Sequence, residues 1–510
     1  MKKLQMLPTR VKSRLMLIAL GALLLQSCAI GYDSPDGFDV GVHDTQLANP
    51  DSISFVVNSA GTKATVSWPL VLGAAGYEVT FRNVDDPDNP YIVDGYENFV
   101  VDGTSMTVTV AEDSKYEMEM RVLGNSEYNN QDAPEKKLIS LSTLVQSVAT
   151  IPSGSDIYQY MLEHPLDSTT LADEVAIDLE PKGEYTLSGP INFYGQKMTF
   201  RGDKVYRPTV NVTGKGSIAS YAGLKVKYIN FDMTESLADG LILMSADSLP
   251  DAILQQNLGY TRNGSLLKGV YIVQDPVYVA HCWFKNMPKS LINDNKVSCA
   301  WWDFTITDCI VQQNNSSNVG FICLQNSGRM IKNILIDKCT IYNIVDNSSA
   351  YFIRYANSSN SNPEKTFGNA TSLYSSQSIT FQNSTFSKVY TGQKFVNNIN
   401  SNGMTTLVDH CIFYDICQTR RMSIGYKTFK FNFWYAFTKP DNNDPNQKDN
   451  SGAPFASVYD PQFAGNVLQE LDFSKENGGV DFTPGEYEII ANRGGDPRWL
   501  PASSTTVTEE

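Results

Sequence analysis

The stretch that decides the fold is residues 277–284, VYVAHCWF, because the pattern of its last six residues recurs along the chain. That pattern is an apolar residue, two free positions, a Cys or small residue, one free position and a second apolar residue. The Cys position recurs at intervals of 27, 30, 45, 27 and 21 residues. This period predicts a solenoid of stacked coils, with a loop inserted in the longest coil. The copies are 226–231 (VKYINF), 279–284 (VAHCWF), 306–311 (ITDCIV), 336–341 (IDKCTI), 381–386 (FQNSTF), 408–413 (VDHCIF) and, more weakly, 429–434 (FKFNFW).

A second row of apolar segments lies between the copies of the first. Its intervals of 30, 31 and 43 residues follow those of the first row. Two rows that share one irregular period indicate that each coil contributes at least two strands. Stacked coils then pair equivalent strands in parallel, about 4.8 Å apart, as a parallel β-helix. The second row is 291–293 (LIN), 321–323 (FIC), 352–354 (FIR) and 395–397 (FVN).

The small residues of the first row predict a ladder in the core. Cys282, Cys309, Cys339 and Cys411, with Ser384 between the last two, fall at equivalent inward positions. Such a column suits small, soft side chains. A disulfide between neighbouring rungs and a metal site are the alternatives. The sequence has no C-x-x-C spacing, and its four histidines do not cluster.

These repeats resemble the pectate-lyase-like superfamily over about residues 150–440. The resemblance implies a right-handed parallel β-helix, which we place at residues 136–500, with a tail at 501–510. It does not imply one activity, because this fold hosts lyases, hydrolases, esterases and binding proteins.

The N-terminus predicts export and lipid attachment. A basic leader precedes an apolar run at 15–25, which is about half the length of a bilayer-spanning helix. The run ends in LQSC at 25–28, which resembles the bacterial lipobox. The resemblance implies cleavage before Cys28 and acylation of that residue, and hence a protein anchored in the outer membrane at the cell surface. An ordinary secretory signal is the alternative.

Residues 29–48 are rich in Gly, Asp, Ser and Pro and predict a flexible tether. Residues 49–135 then alternate apolar and polar residues in short segments, which is typical of a two-sheet sandwich. The segments 66–69 (VSWP), 76–79 (GYEV) and 116–122 (YEMEMRV) resemble strands B, C and F of a fibronectin type III domain. The pattern places Trp68, Tyr77 and Tyr116 in the core, so this module is predicted to be a spacer.

Composition excludes one class of partner. The formal net charge is −15 and charged residues are 19% of the chain. Without a basic patch to displace phosphate counterions, the protein is not expected to bind nucleic acid. The same charge disfavours unaided binding of a strongly acidic polysaccharide.

The three modules together resemble the surface lipoproteins that glycan-harvesting bacteria encode beside their uptake systems. The segment 494–500 (GGDPRWL) is also similar to the terminus of those proteins, where Trp499 is predicted to cap the last coil. The resemblance implies a polysaccharide ligand and an outer-membrane glycan transporter as partner.

Positions one and three after each Cys position are predicted to point outward. The third-position row is Lys285, Gln312, Tyr342, Ser387 and Tyr414. Exposed aromatic rings on a flat sheet provide stacking faces for sugars, and ordinary packing is the alternative. Of the pair 301–302, one residue is expected to face inward. The candidate glycan-binding residues are Trp283, Trp301, Trp302, Tyr342, Tyr351, Arg354, Tyr355 and Tyr414.

No constellation of residues predicts an active site. Asp308, Asp337 and Asp409 are outward carboxylates beside the Cys row, but they sit at bends. Arg354 is the most suggestive basic residue, either as a catalytic base, as a sugar contact or as the structural partner of a loop acid.

The period is lost at 232–268, 357–376 and 441–450, which predicts loops that build the walls of a groove. No cofactor is firmly implied. The acidic run at 441–444 is a candidate for Ca²⁺, with a solvated loop as the alternative. The leading hypothesis is a non-catalytic, glycan-binding lipoprotein. A polysaccharide lyase or hydrolase is the second, and an adhesin or structural partner of an uptake system is the third.

Overall fold

The computed structural model describes residues 42–58, 61–166, 173–261, 266, 268–347, 351–357, 359, 361–370, 378–391, 394–398, 405–416, 426–435 and 459–502. The predicted leader with Cys28 and the acidic run at 441–444 lie outside these ranges. The chain divides into two compact units, Met1–Leu144 and Val145–Glu510. In the described part, none of the helices has the length and apolar character needed to cross a membrane.

The first unit contains two antiparallel sheets that share one core. One sheet has the order β1-β2-β6, and the other has the order β4-β3-β7-β8, with β5 also paired to β3. A 3-10 helix, Ser126–Tyr128, follows β7. The strands are β1 Ser54–Val57, β2 Lys63–Ser67, β3 Ala74–Asn83, β4 Tyr91–Ile92, β5 Phe99–Val101, β6 Ser105–Thr109, β7 Lys115–Gly124 and β8 Lys137–Ser142.

Alternation along these strands buries one face of each sheet. Trp68, Tyr77 and Tyr116 are all buried in the shared core, as their position on the strands predicted. Tyr116 stacks on Phe81, with ring centroids 5.0 Å apart. The core is therefore that of a β-sandwich, and membership of the fibronectin type III family stays a prediction.

Two predicted boundaries of this unit are wrong. The tether was predicted to reach residue 48, but Gln46 bridges to Gln131 and Leu47 is 6% exposed in the sandwich core. The sandwich was predicted to end at residue 135, but β8 pairs with β7 beyond that point.

The second unit is a right-handed parallel β-helix with three sheets, which confirms the predicted fold class. Sheet A contains β9 Ser147–Ile151, β10 Val175–Leu179, β13 Met198–Arg201, β16 Leu224–Lys227, β20 Val277–Ala280, β23 Cys299–Thr307, β26 Ile331–Asp337, β29 Ser378–Gln382, β32 Thr405–Asp409 and β34 Tyr426–Lys430, with β19 Tyr271–Val273 beside β23. Sheet B contains β11 Glu184–Leu187, β14 Thr209–Gly214, β17 Asn230–Ser236, β21 Trp283–Met287, β24 Ile310–Gln313, β27 Thr340–Asn343, β30 Thr385–Ser387, β33 Ile412–Tyr414 and β35 Phe433–Tyr435. Sheet C contains β12 Pro190–Asn192, β15 Ser217–Ser220, β18 Gly240–Met244, β22 Ser290–Asn293, β25 Ile322–Leu324, β28 Tyr351–Tyr355 and β31 Lys394–Asn397.

The bend from sheet A to sheet B is the same in successive coils. One residue before each Cys position has a left-handed backbone, with φ between 47° and 58°. That conformation turns the chain sharply within two residues, although side chains other than Gly and Asn adopt it at some cost. The left-handed residues are Tyr228, His281, Asp308, Lys338, Asn383, His410 and Phe431.

The predicted ladder forms directly after this bend. The four cysteines and Ser384 are fully buried. The backbone N–H of Cys282 donates to Cys309 Sγ at 3.4 Å, and that of Cys339 donates to Ser384 Oγ at 3.1 Å. At these two rungs, Cys309 and Ser384 thus satisfy a backbone donor of the coil before them. All six described cysteines are free thiols, and burial raises the pKa of Cys282 and Cys411.

The described coils end at Tyr435, so the prediction that the β-helix continues to residue 500 is wrong. Residues 459–502, here called the C-terminal segment, lie along the outer face of sheet B. They contain the 3-10 helices Glu476–Gly479 and Pro497–Trp499 and the short helix Tyr487–Ala491. The segment lacks the repeat of the coils and packs Leu471, Phe482 and Trp499 in a cluster with Ile310 and Tyr342 of sheet B.

Two insertions leave the coils between sheets C and A. The loop predicted from residue 232 in fact begins after β18, because β17 and β18 complete a coil. The first insertion, described over 245–261, 266 and 268–270, holds the 3-10 helices Asp251–Ile253 and Gln255–Asn257. The second, described over 356–357, 359 and 361–370, holds the helix Pro363–Phe367 and the 3-10 helix Gly368–Ala370. A helix before the first full coil, Ile157–Glu163, packs on β11 and β12.

Candidate functional site

The outward row of sheet B has the predicted register from Gln312 onward but is covered, whereas a register shift in β21 after Phe284 leaves Lys285 without a partner opposite Gln312. Gln312, Tyr342, Ser387 and Tyr414 face one another on adjacent strands. The C-terminal segment lies over them: the Leu471 N–H donates to Gln312 Oε1 at 3.0 Å. Tyr342 is fully buried beneath Phe482, and Tyr414 packs on Phe463. The prediction of Tyr342 as a glycan contact is therefore wrong, because a non-repeating segment occupies its outer face.

Trp283 lies at the end of the same covered face. Its ring is half-buried, with the Arg207 guanidinium 4.5 Å from the ring centroid. It also packs with the cluster of Leu471 and Phe482 in the C-terminal segment. The stacking face predicted for Trp283 is thus shared between an arginine and the segment, and its role as a sugar contact stays a prediction.

The end of the C-terminal segment is fastened by a buried polar network. Asp496, which is 1% exposed, accepts from Thr340 Oγ1 at 2.8 Å, and Trp499 Nε1 donates to the same hydroxyl at 2.6 Å. Arg498 pairs with Asp496 and with Asp308 at the bend. Trp499 was predicted to cap the last coil. It lies instead on β27, in the middle of the β-helix.

Two carboxyl groups of this network have pKa values that are shifted in opposite directions. Burial raises the pKa of Asp496 to about 6, against the opposing charge of Arg498. For Asp308, burial also acts to raise the pKa, but the hydrogen bond from His281 and the charge of Arg498 outweigh it and lower the pKa to about 2. Asp308 is therefore a structural carboxylate in this structure.

Two further candidates face the core. Trp301 is 2% exposed and Tyr355 is fully buried, with its hydroxyl accepting from the Ile331 N–H at 3.4 Å. Neither ring can contact a polymer on the outer wall, so both predictions are wrong. The pair 301–302, on strand β23, has one residue facing inward, as predicted.

Arg354 has the predicted row partners in sheet C. Asn293, Cys323, Arg354 and Asn397 are registered on adjacent strands. The Arg354 guanidinium lies 5.0 Å from the Tyr351 ring centroid and donates to the Asn318 carbonyl. Of the three roles considered for Arg354, the geometry favours structural partner of a loop, although the partner is a carbonyl rather than an acid.

The remaining candidate, Trp302, lies in a site that the two insertions complete. Its half-buried ring is 6.1 Å from the Tyr260 ring and 5.8 Å from the Phe367 ring, the latter edge to face. The Lys332 ammonium lies 3.9 Å from its centroid. We call Tyr260, Trp302, Lys332 and Phe367 the aromatic site. It joins the first insertion, the second insertion and two strands of sheet A.

Hydrogen bonds between the insertions hold this site together. Gln255 Nε2 donates to the Lys365 carbonyl at 2.7 Å and also to that of Thr366. Thr261 and Asn369 form a reciprocal pair, N–H to Oδ1 at 2.9 Å and N–H to carbonyl at 2.8 Å. The two loops are thus tied by backbone and side-chain bonds at residues that flank Tyr260 and Phe367 in sequence, so the rings are positioned without a ligand.

Polar groups surround the aromatic site. Gln274, which is exposed, donates from Nε2 to the Tyr260 hydroxyl at 2.9 Å. Asp303, next to Trp302 in sequence, accepts from Asn333 Nδ2 at 2.7 Å. Gln274 thus contacts one ring of the aromatic site directly, and Asp303 is the sequence neighbour of Trp302 on β23.

Sequence reasoning identified Trp302 but missed Tyr260, Lys332 and Phe367. The signal for Lys332 was present: it follows Trp302 by 30 residues, the same interval that separates Cys309 from Cys339. Equivalent positions of successive coils stack, so Lys332 had to lie beside Trp302. Tyr260 and Phe367 belong to insertions outside the repeat, and no sequence signal placed them together.

The outward carboxylates do not gather around a metal. Within the described ranges, no group of three or more His, Cys, Asp or Glu side chains is arranged to hold a metal ion. Asp337 and Asp409 do share one outward column of sheet A, with Gln382 between them. Asp337 accepts from Asn383 Nδ2 at 2.9 Å, and Asp409 lies 2.6 Å from His410 Nδ1.

Two family models match parts of the chain, and both describe domains of unknown function. Residues 1–184 match the model of a domain of unknown function, DUF4992, and residues 183–344 match that of another domain of unknown function, DUF4957. No curated protein matches the sequence. Among solved structures, the chain is similar to a family 28 exopolygalacturonase of Yersinia enterocolitica at 10% identity and a TM-score of 0.13, over 77% of this chain and 100% of that one. This score is too low to support a conclusion about fold or function. The assignment of the fold depends on the three parallel sheets of the chain itself.

Proposed function

We propose that this protein is a lipid-anchored surface protein that binds a polysaccharide without cleaving it. The observation that carries the proposal is the aromatic site, where a half-buried Trp302 is held between two insertions and bordered by hydrogen-bonding side chains. An aromatic ring with an apolar face and polar neighbours matches a pyranose ring, which has apolar C–H faces and a hydroxyl edge.

The preorganised geometry supports binding. Trp302 is fixed by Phe367 and Tyr260, and the loops that carry those rings are tied by the Thr261–Asn369 pair. A ring already held in place loses little conformational entropy on binding, so more of the stacking free energy contributes to affinity.

A polar track leads away from the aromatic site along the helix axis. Asp303, Asn333, Ser378 and Thr405 are registered on four adjacent strands of sheet A, and all four are half-buried. At the usual strand spacing the column is roughly 14 Å long. Such a row of amide, hydroxyl and carboxylate groups provides hydrogen bonds for several sugars of a polymer lying along the coils.

The N-terminal parts of the proposal rest on the sequence. The lipobox resemblance at 25–28 supports acylation of Cys28 and attachment to the outer membrane at the cell surface. The fibronectin-like module would then act as a spacer, and an outer-membrane glycan transporter is the proposed partner.

A glycoside hydrolase or polysaccharide lyase is the second candidate, favoured by Asp337 and Asp409. These carboxylates lie two strands apart on one face, which places their backbones roughly 10 Å apart. Inverting hydrolases separate their two carboxylates by about 6.5 to 9.5 Å. An adhesin or structural partner of an uptake system is the third candidate.

Affinity electrophoresis of the mature protein tests the proposal, with a panel of polysaccharides in the gel and with and without Ca²⁺. We expect one polymer to retard the native protein, and Trp302→Ala to lose that retardation. Tyr487→Ala is the matched control, because Tyr487 is an exposed aromatic residue remote from the aromatic site in sequence and fold. Retardation by no polymer, or equal retardation of Trp302→Ala, would contradict the proposal.

Product assays separate binding from catalysis. Incubation with the retarding polymer should yield neither unsaturated products, followed by ultraviolet absorbance, nor new reducing ends. Reducing ends that disappear in Asp337→Asn and Asp409→Asn would establish the hydrolase instead. If no glycan binds but outer-membrane proteins co-purify, the adhesin or structural role replaces the proposal.

A further inference from the structure

Lys332 is a buried cation without a polar partner. It is 7% exposed, on β26, and its ammonium lies 3.9 Å from the Trp302 centroid. Among the residues that the structure describes, it forms neither a hydrogen bond nor an ion pair. A lysine with so little exposed surface usually has such a partner.

The surroundings of Lys332 leave the charge uncompensated. Burial lowers the pKa of its ammonium, and the negative charge of Asp303 acts in the opposite direction. Asp303 nevertheless directs its carboxylate to Asn333 and does not pair with the lysine. The Trp302 ring attracts the cation but accepts no conventional hydrogen bond from it.

We infer that the aromatic site selects a sugar that carries an anionic group, with Lys332 as the charge partner of that group and Trp302 as the contact for the ring. This inference rests on the proposed function and names its ligand class. A carboxylate of a uronic acid and a sulfate ester share the required chemistry: each is an anion with oxygen acceptors for the lysine donors.

The rest of the surface restricts the selection to a sparsely charged polymer. Beyond Asp303, the polar track consists of the uncharged residues Asn333, Ser378 and Thr405, and the chain has a net charge of −15. A polyanion would be repelled as a whole, whereas a chain with one acidic sugar among neutral ones would place a single charge at Lys332. The site thus matches a heteropolysaccharide with isolated acidic residues.

Matched monosaccharides test this selection. The ligands differ only at C6: they are methyl glucoside, methyl glucuronide and methyl glucoside 6-sulfate, with the galactose counterparts. Each is titrated against the mature protein by calorimetry. We expect at least one anionic glycoside to bind about tenfold more tightly than its neutral counterpart. The carboxylate and sulfate arms identify which anion the site takes.

Variants of Lys332 then test whether this residue causes the preference for the anionic glycoside. Lys332→Met keeps an unbranched side chain that is one atom shorter and uncharged, and it should abolish the preference for the anionic glycoside. Lys332→Arg keeps the charge and should retain most of that preference. Thermal unfolding of both variants establishes that they fold. The inference would be overturned if Lys332→Met still preferred the anionic glycoside. It would also be overturned if neutral and anionic glycosides bound equally while Trp302-dependent polymer binding persisted. Either result would leave the proposed function standing. Absence of any polymer binding would overturn both.

Discussion

Arg498 and Asp308 form an ion pair between residues that are 190 positions apart in sequence. Asp308 is the left-handed residue at a bend between sheets A and B, and Arg498 belongs to the last turn of the C-terminal segment. Arg498 Nη1 also lies 2.9 Å from Asp496 Oδ2, so one guanidinium bridges two carboxyl groups. This contact fastens the segment that covers the outer face of sheet B.

Replacing Arg498 should detach the C-terminal segment. Arg498→Leu leaves Asp496 as a buried, unpaired charge, and removing one partner of a buried ion pair costs about 3 to 5 kcal/mol. We expect faster cleavage within 459–502 by limited proteolysis and a lower unfolding temperature. Lys475→Ala is the control, because Lys475 pairs with Asp472 at the exposed surface. Equal proteolysis of Arg498→Leu and the native protein would show that the ion pair does not hold the segment.

The stability conferred by Asp496 should decrease as the pH rises from about 4 to 6. Its pKa is about 6 in the folded protein and 3.8 for an unperturbed carboxyl, so between these values the folded state binds the proton that the unfolded state has released. For Asp308, with a folded pKa of about 2, the sign is reversed, and its contribution is lost as the pH falls from 3.8 toward 2. The difference in unfolding temperature between the native protein and Asp496→Asn, measured from pH 4 to 7, isolates the first effect. A constant difference would refute it.

The ladder should tolerate Ser better than a larger apolar side chain. Ser384 already occupies one rung and accepts from the Cys339 N–H. Cys339→Ser should therefore cost less than about 1 kcal/mol, whereas Cys339→Leu should cost about 1 to 3 kcal/mol by overpacking the column. Chemical denaturation of the two variants measures the difference. Equal stability of both would mean that the column is not closely packed.

Gly495 should resist substitution for two reasons. Its φ is +93°, and a Cβ at this position would lie 2.7 Å from Ile412 Cδ1 and 2.8 Å from Thr385 Oγ1. We expect Gly495→Ala to destabilise the docked C-terminal segment by about 1 kcal/mol or more. The control is Gly103→Ala, where a Cβ would meet no atom within 4 Å. Proteolysis of the segment in the two variants provides the measurement, and the prediction fails if they behave alike.

The repeat in the sequence predicts much of the site, and the wrong predictions of site residues share one cause. The interval between Cys309 and Cys339 also relates Trp302 to Lys332, and the second row correctly placed Arg354 between Cys323 and Asn397. Tyr342 was equally well placed on its strand and yet was misassigned. Its direction follows from the repeat, but whether it meets solvent depends on Phe482, which no period relates to it.

The sequence by itself determined the winding of the chain, the inward ladder and the register of the strands. Parallel stacking converts a fixed interval in sequence into a neighbour in space, so local periodicity is sufficient for these features. Only the tertiary structure decided which outward residues are free to bind. The C-terminal segment and the two insertions lie outside the period, and their places on the coils depend on contacts such as Arg498 with Asp308 and Thr261 with Asn369, which join residues more than a hundred positions apart.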